Sequence, residues 1–168
     1  MKLKILSIGK ISKSPYETIS NHYIKNIQSI SKQTGISEFT VSEFNKSGEK
    51  NTALRKQKEF EVIKNKINID NSVNILLDEN GKALSTSDMK LMIEKYIQGS
   101  KKELNFIIGG PDGASDFFSE IISEKISLSN MTLPHLLARV LLLEQIFRSL
   151  TILINHPYHR EWAYHDNL

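Results

Sequence analysis

The chain has 168 residues, with 22 Lys and Arg against 19 Asp and Glu, a formal net charge of +3 and no cysteine. That length is enough to bury a core within one domain, and a 39% hydrophobic, 24% charged composition excludes a disordered or fibrous chain. Disulfides and thiolate metal ligands are excluded, while the slight positive excess permits a polyanionic partner without requiring one.

In chain order, residues 2–8 alternate in period two and end at Gly9, which reads as a strand and not as the apolar core of a signal peptide. Ser14-Pro15 predicts a helix start, with Ser14 as cap and Pro15 in the first turn. Ile19, Tyr23, Ile27 and Ile30 continue an apolar stripe to about residue 31. Residues 38–44 alternate again, and a polar loop over 45–51 leads to a charged helix over about 52–66. Residues 73–77 and 104–108 are nearly continuous apolar runs, as expected of strands covered on both faces. Between them, 85–98 reads as a capped helix with Met89, Met92, Ile93, Tyr96 and Ile97 inward. Residues 115–125 read as a short helix carrying Phe117, Phe118, Ile121 and Ile122, and 126–128 as a third short strand. Pro134 opens a long helix to about residue 153. No run approaches the roughly 18 apolar residues that span a bilayer. This alternation implies an α/β domain with a largely parallel sheet, in which ligands bind beyond the carboxyl ends of the strands.

The last helix is apolar on more than one face. Leu136, Leu137, Val140, Leu141, Leu142, Leu143, Ile146, Phe147 and Leu150 exceed what one buried stripe needs. Two arrangements fit, a second subunit on one face or a central place in the monomer's core, and the first is the expectation. Arg148 follows Glu144 by one turn, the spacing of an intrahelical ion pair.

Three motifs carry the candidate chemistry. Ile107-Ile108-Gly109-Gly110-Pro111-Asp112-Gly113 joins a strand to a helix. Its glycines allow positive φ and close backbone approach to a ligand, and Asp112 suits either a ligand hydroxyl or the turn itself. The pattern is neither the dinucleotide fingerprint nor a P-loop. Leu128-Ser129-Asn130-Met131-Thr132-Leu133-Pro134-His135 runs from a strand end into a helix N-terminus. Its backbone amides and carbonyls suit the edge of a planar ring; ordinary capping by Thr132 is the other reading, with His135 structural before catalytic. Asn155-His156-Pro157-Tyr158-His159-Arg160-Glu161 concentrates histidine, tyrosine and arginine. The His156-x-x-His159 spacing lacks a carboxylate at ligand spacing, so no metal is expected. Pro157 excludes a regular helix, and an extended segment of this composition suits base stacking and phosphate contact.

In these motifs, with Arg139-Val140, Glu144-Gln145-Ile146-Phe147-Arg148 and the segments 2–10 and 76–82, the chain resembles the RlmH family of bacterial ribosomal RNA large-subunit methyltransferases, of the SPOUT class. The resemblance covers all but the last few residues. It implies one domain over 1–168, a mostly parallel sheet flanked by helices with a C-terminal trefoil knot, the knotted cofactor-binding part lying at about 72–161. It implies a homodimer in the cytoplasm and S-adenosylmethionine as methyl donor, held by Leu77, Gly109, Leu128, Ser129, Asn130, Met131, Thr132 and Leu133. The implied reaction methylates N3 of a pseudouridine in 23S ribosomal RNA, within assembled ribosomes. Tyr158, His159 and Arg160 are the implied catalytic residues, with His135 a further candidate for the base. Arg160 stays protonated, which suits it to steady phosphate or a developing oxygen charge. A SPOUT enzyme acting on another RNA such as transfer RNA, and a non-catalytic ribosome-binding module, are the alternatives. The chain departs from the family pattern at Asp112, where glutamate is common, and in continuing past Glu161.

Overall fold

A computed structural model describes residues 1–160, and residues 161–168, with the Trp162-Ala163-Tyr164 aromatics and His165, lie outside the described residues. Five strands, β1 (Lys2–Ile8), β2 (Glu38–Phe44), β3 (Ser72–Ala83), β4 (Glu103–Ile108) and β5 (Glu124–Ser127), form one sheet in the order β2-β1-β4-β3-β5. Every neighbouring pair is parallel, so the expected α/β class and parallel sheet are present.

The strands read as continuous apolar runs because both faces are covered. Leu3 and Ile5 of β1, Val73 and Ile75 of β3, and Leu104, Phe106 and Ile108 of β4 face one core, under α1 (Glu17–Ile30), α3 (Thr86–Ile97) and α4 (His135–Leu153). Leu6, Ile8, Leu76 and Ile107 point the other way, onto Phe60 and Ile63 of α2 (Thr52–Lys64) and onto Phe118 and Ile121. Period-two alternation thus divides each strand between two cores. On the α2 side, Asn105 Nδ2 donates to Asn74 Oδ1 at 2.9 Å, and Asn74 Nδ2 donates to the Ile121 carbonyl at 2.9 Å. This buried polar contact ties the segment before β5 to the sheet centre.

Several expected boundaries move, each for a local reason. Helix α1 begins at Glu17 with no side-chain cap, three residues after Ser14. Ser14 instead accepts from the Tyr16 amide at 3.3 Å, and Lys13 has φ 62°, so Ser14-Pro15 belongs to a turn. Strand β3 continues to Ala83 because, after a register shift, Lys82 and Ala83 pair with Ile126 and Ser127. Residues 115–125 do not form a regular helix. A single 3₁₀ turn spans Asp116–Glu120, and β5 starts at Glu124 because its backbone is drawn into pairing with Ile75, Leu76 and Leu77. Thr132 is not the cap of α4: Pro134 flanks that helix and no side chain caps it.

Two features of this arrangement shape the site. At Gly81 a Cβ would lie 2.6 Å from both the backbone nitrogen and the carbonyl carbon of Ile126, so the last part of β3 is pressed directly onto β5. Helix α4 buries Leu142, Leu143, Ile146 and Leu150 against the core, beside α1 and α3, while Leu137, Val140 and Leu141 keep part of their surface in solvent.

Candidate functional site

The carboxyl ends of β3, β4 and β5 open into one cleft, as expected where the strand order of a parallel sheet departs from chain order. Leu77, Ile108 to Gly110, Ile126 to Ser129, Met131 to Leu133 and His135 are among the residues that line it. Of the eight residues expected to hold a cofactor, Leu77, Gly109, Leu128, Ser129, Met131, Thr132 and Leu133 line this cleft, and Asn130, exposed, does not.

Local hydrogen bonds explain the wall formed by 127–133. Ser127 Oγ donates to the Ser129 carbonyl at 2.7 Å, and Ser129 Oγ accepts from the Met131 amide at 2.9 Å, giving two successive serine-closed turns. Thr132 Oγ1 donates to Glu79 Oε2 at 3.3 Å across the mouth. Met131 projects into solvent at 74% exposure. The glycine loop is as tightly specified. A Cβ at Gly109 would lie 3.1 Å from the Ala114 amide nitrogen, and one at Gly110 would lie 2.6 Å from Glu59 Oε2. Gly113 has φ +80°, the left-handed region that glycine accepts without strain. Its amide donates to the Gly110 carbonyl at 3.0 Å and closes the turn.

Asp112 does not line the cleft. Its carboxylate accepts from Arg55 Nε at 2.7 Å, and that guanidinium holds its carboxyl below the usual carboxylate range. Of the two readings offered for Asp112, the geometry places it with the turn, tied to α2. Asp78 and Glu79, in the segment 77–81 that follows the apolar run of β3, also line the cleft, as acids outside the expected cofactor set. Position alone, directly after the buried apolar run 73–77 of a parallel sheet, was the signal that pointed to them.

His135 and its neighbours form a charged edge to the cleft. A Cβ at Gly9, which has φ +95°, would meet His135 Nε2 at 3.2 Å and Lys46 Cε at 3.3 Å, so both side chains converge on that glycine. One turn further along α4, Arg139 is only 2% exposed and donates from Nη2 to Glu43 Oε1 at 2.6 Å. The same carboxylate oxygen accepts from the Ile11 amide at 2.8 Å. Nε and Nη1 of Arg139 have no acceptor among the described residues. Burial, then Lys46 and Arg139, push the imidazole of His135 below its ordinary value, so it is neutral at neutral pH.

The third motif stands elsewhere. After α4, Asn155 adopts φ 53°, a left-handed conformation that asparagine tolerates at a helix end, and the chain turns back, with the His156 amide donating to the Thr151 carbonyl at 2.9 Å. The tail is therefore folded, not extended as expected. Tyr158 packs on Phe147 with ring centroids 4.7 Å apart, lies 4.9 Å from the Arg148 guanidinium, and donates to Glu144 Oε1 at 3.1 Å. The expected Glu144–Arg148 pair is present at 2.5 Å. Arg148 Nη1 donates to His159 Nδ1 at 3.3 Å; since a guanidinium accepts nothing, a neutral His159 carries its proton on Nε2. Burial first, then Tyr23 and the Glu144 carboxylate, push the Tyr158 phenol up, so it stays protonated. Arg160 is exposed. None of Tyr158, His159 and Arg160 lines the cleft of its own chain. Glu144 lies nine residues along α4 from His135, about 14 Å at 1.5 Å per residue.

Among the described residues no group of three or more His, Asp or Glu is placed to hold a metal ion, and no helix is long and apolar enough to cross a membrane.

A family model described as "Predicted SPOUT methyltransferase" matches residues 1–159. Curated proteins named ribosomal RNA large subunit methyltransferase H are similar over 160 residues, 95% of this chain and 99% of the relative. The protein of Rhizobium leguminosarum bv. trifolii is 31% identical, that of Rhizobium johnstonii 32% and that of Agrobacterium fabrum 30%.

Proposed function

The chain belongs to the SPOUT methyltransferase family, and from that premise we propose that it methylates large-subunit ribosomal RNA, with S-adenosylmethionine bound in the cleft at the ends of β3, β4 and β5. The observation that carries the reading is the convergence there of segments far apart in sequence: the strand end at Leu77, the glycine loop at Gly109, and the turns from Leu128 to Leu133. The donor set fits. Leu77, Ile108, Ile126 and Leu133 offer apolar walls for a purine ring, the serine-closed turns bring backbone groups to its edge, and Asp78 and Glu79 lie at the mouth for hydroxyls or positive charge. When bound, the cofactor supplies an already activated sulfonium methyl, so the protein's task is alignment and proton removal.

The acceptor is N3 of a pseudouridine in 23S ribosomal RNA, reached within the assembled ribosome in the cytoplasm. Tyr158, His159 and Arg160 face that base and Arg160 steadies the oxygen charge that grows as the N3 proton leaves. Because these three follow α4, with Tyr158 and His159 folded back on its far part and outside the cleft of their own chain, the reading includes a homodimer in which the tail of one copy serves the cleft of the other. The part-exposed Leu137, Val140 and Leu141 face of α4 supplies apolar surface for that contact. The trefoil knot, in a cofactor-binding part over about 72–161, belongs to the same reading.

Calorimetric titration with S-adenosylmethionine and its demethylated product tests the cofactor site, and nucleoside mass spectrometry of ribosomes treated with the protein tests the acceptor. Methyl transfer to transfer RNA instead of ribosomes would overturn the substrate, and no binding of either ligand by a folded dimer would overturn the enzyme reading. Mixing a Gly109→Leu chain with an Arg160→Ala chain tests the shared site. Activity in the mixed dimer above that of either parent is expected, and its absence would place both functions in one chain.

A further inference from the structure

We propose that Lys46 and His135, backed by the buried Arg139, form a subsite for one backbone phosphate of the RNA strand that enters the cleft. The proposal rests on the RNA-methylating reading and adds a contact to it.

Three observations carry it. First, His135 and Lys46 converge on the same α-carbon, that of Gly9, where a Cβ would lie 3.2 Å from one and 3.3 Å from the other. His135 lines the cleft, so a group held between these two side chains lies at the cleft's β1–β2 edge. Second, the nearby carboxylate is already engaged. Glu43, three residues before Lys46, is held by Arg139 Nη2 and the Ile11 amide, which both donate to its Oε1. Lys46, exposed, is left without an ion-pair partner among the described residues. Third, Arg139 is 98% removed from solvent, yet Nε and Nη1 lack acceptors. A buried guanidinium with unmet donors is destabilised by the missing bonds, and an anion beside it offsets that. Arg139 is here a positioning residue. It engages Glu43 and places a second positive charge beside His135.

The ligand chemistry follows from the groups. The charges acting on His135 are Lys46 from the segment after β2 and Arg139 from α4; Arg139 is paired with Glu43 of β2, and the Asp112 carboxylate within electrostatic reach of Lys46 is itself paired with Arg55. With His135 neutral, the cluster carries one unmatched positive charge, which suits a singly charged phosphodiester. A compact ammonium and an imidazole N–H match phosphate oxygens held at an exposed edge. Glycine at position 9 keeps this approach open, since any side chain would occupy the point on which the two groups converge.

Two measurements on the full-length protein test it. The first uses inorganic phosphate against chloride at equal ionic strength, with the His135 imidazole titrated by NMR. Phosphate beside the ring favours its protonated form, so the midpoint moves up, and the Lys46→Gln variant reduces that movement. This readout needs neither cofactor nor methyl transfer, so it fails or succeeds separately from the enzyme reading. The second measures the affinity of a single-stranded RNA oligonucleotide across a salt series. Lys46→Gln lowers affinity about 3- to 10-fold at low salt and makes the slope of log K against log salt shallower by about 0.7, the share of one phosphate on a single strand. Three results would overturn the proposal: an unmoved His135 midpoint; an unchanged salt slope in Lys46→Gln; or a loss of S-adenosylmethionine affinity in Lys46→Gln with RNA binding intact, which would assign the cluster to the cofactor's carboxylate.

Discussion

Gly81→Ala is a one-carbon perturbation with a large expected effect. The added Cβ would lie 2.6 Å from Ile126 N, 2.6 Å from its carbonyl carbon and 2.8 Å from its Cα. All three are backbone atoms in β5, and all sit about 1 Å inside van der Waals contact. No rotamer relieves this, so β3 and β5 must separate where Lys82 pairs with Ile126. Overpacking of this kind costs about 1–3 kcal/mol, and contact with fixed backbone places it at the top of that range, about 3 kcal/mol. For a chain of this size that corresponds to a fall in Tm of roughly 6–12 °C. Gly48→Ala is the control, because a Cβ there meets nothing within 4 Å, and reduced freedom of the unfolded chain makes it neutral or stabilising by up to about 1 kcal/mol. Thermal unfolding of the three proteins at one fixed concentration gives the comparison, since self-association would otherwise move Tm. A Gly81→Ala protein that melts within about 2 °C of the parent would refute the close backbone crossing at this point.

Other expectations follow from the same geometry. Gly109→Val sets its side chain against the Ala114 amide, 3.1 Å from where Cβ would stand, and displaces the loop under the cleft; S-adenosylmethionine affinity measured by calorimetry falls at least tenfold while the fold persists by circular dichroism. Ser85 caps α3 by accepting from the Asp88 amide at 3.1 Å, in a reciprocal capping box; Ser85→Ala costs about 1 kcal/mol in urea unfolding, and no change would mean the box is not formed. His135 has its folded pKa below the ordinary 6.5, so the unfolded chain binds the extra proton first. Stability contributed here is present above pH 6.5 and lost as pH falls below it. Unfolding at pH 7.5 and pH 5.5 should therefore show a smaller loss in His135→Gln than in the parent, and equal losses would sink the assignment.

The tail shows how a correct list of residues can still mislead about place. Tyr158, His159 and Arg160 stand next to one another in sequence and chemistry, and the motif invites an open strand reaching for a base. In the structure Asn155 turns left-handed and Phe147, Arg148 and Glu144 draw the tyrosine and histidine back onto α4. The signals were visible only in part: asparagine before His-Pro suggests a helix stop, but not the direction taken after it. Asp112 is a similar case, since its partner Arg55 lies 57 residues away.

The local pattern of the chain determined the elements and their class. Nearly unbroken apolar strands, alternating with helices of three or more turns, admit little besides a parallel sheet covered on both faces, because backbone polar groups and apolar side chains must both be satisfied within short segments. Composition and glycine spacing likewise marked the loops that line the cleft. Tertiary structure decided the rest. The extension of β3 past Leu77, the start of β5 at Glu124, and the pairing of Glu43 with Arg139 join residues 40 or more positions apart. Such contacts depend on which surfaces meet after the sheet has closed, and local propensity carries no record of that choice.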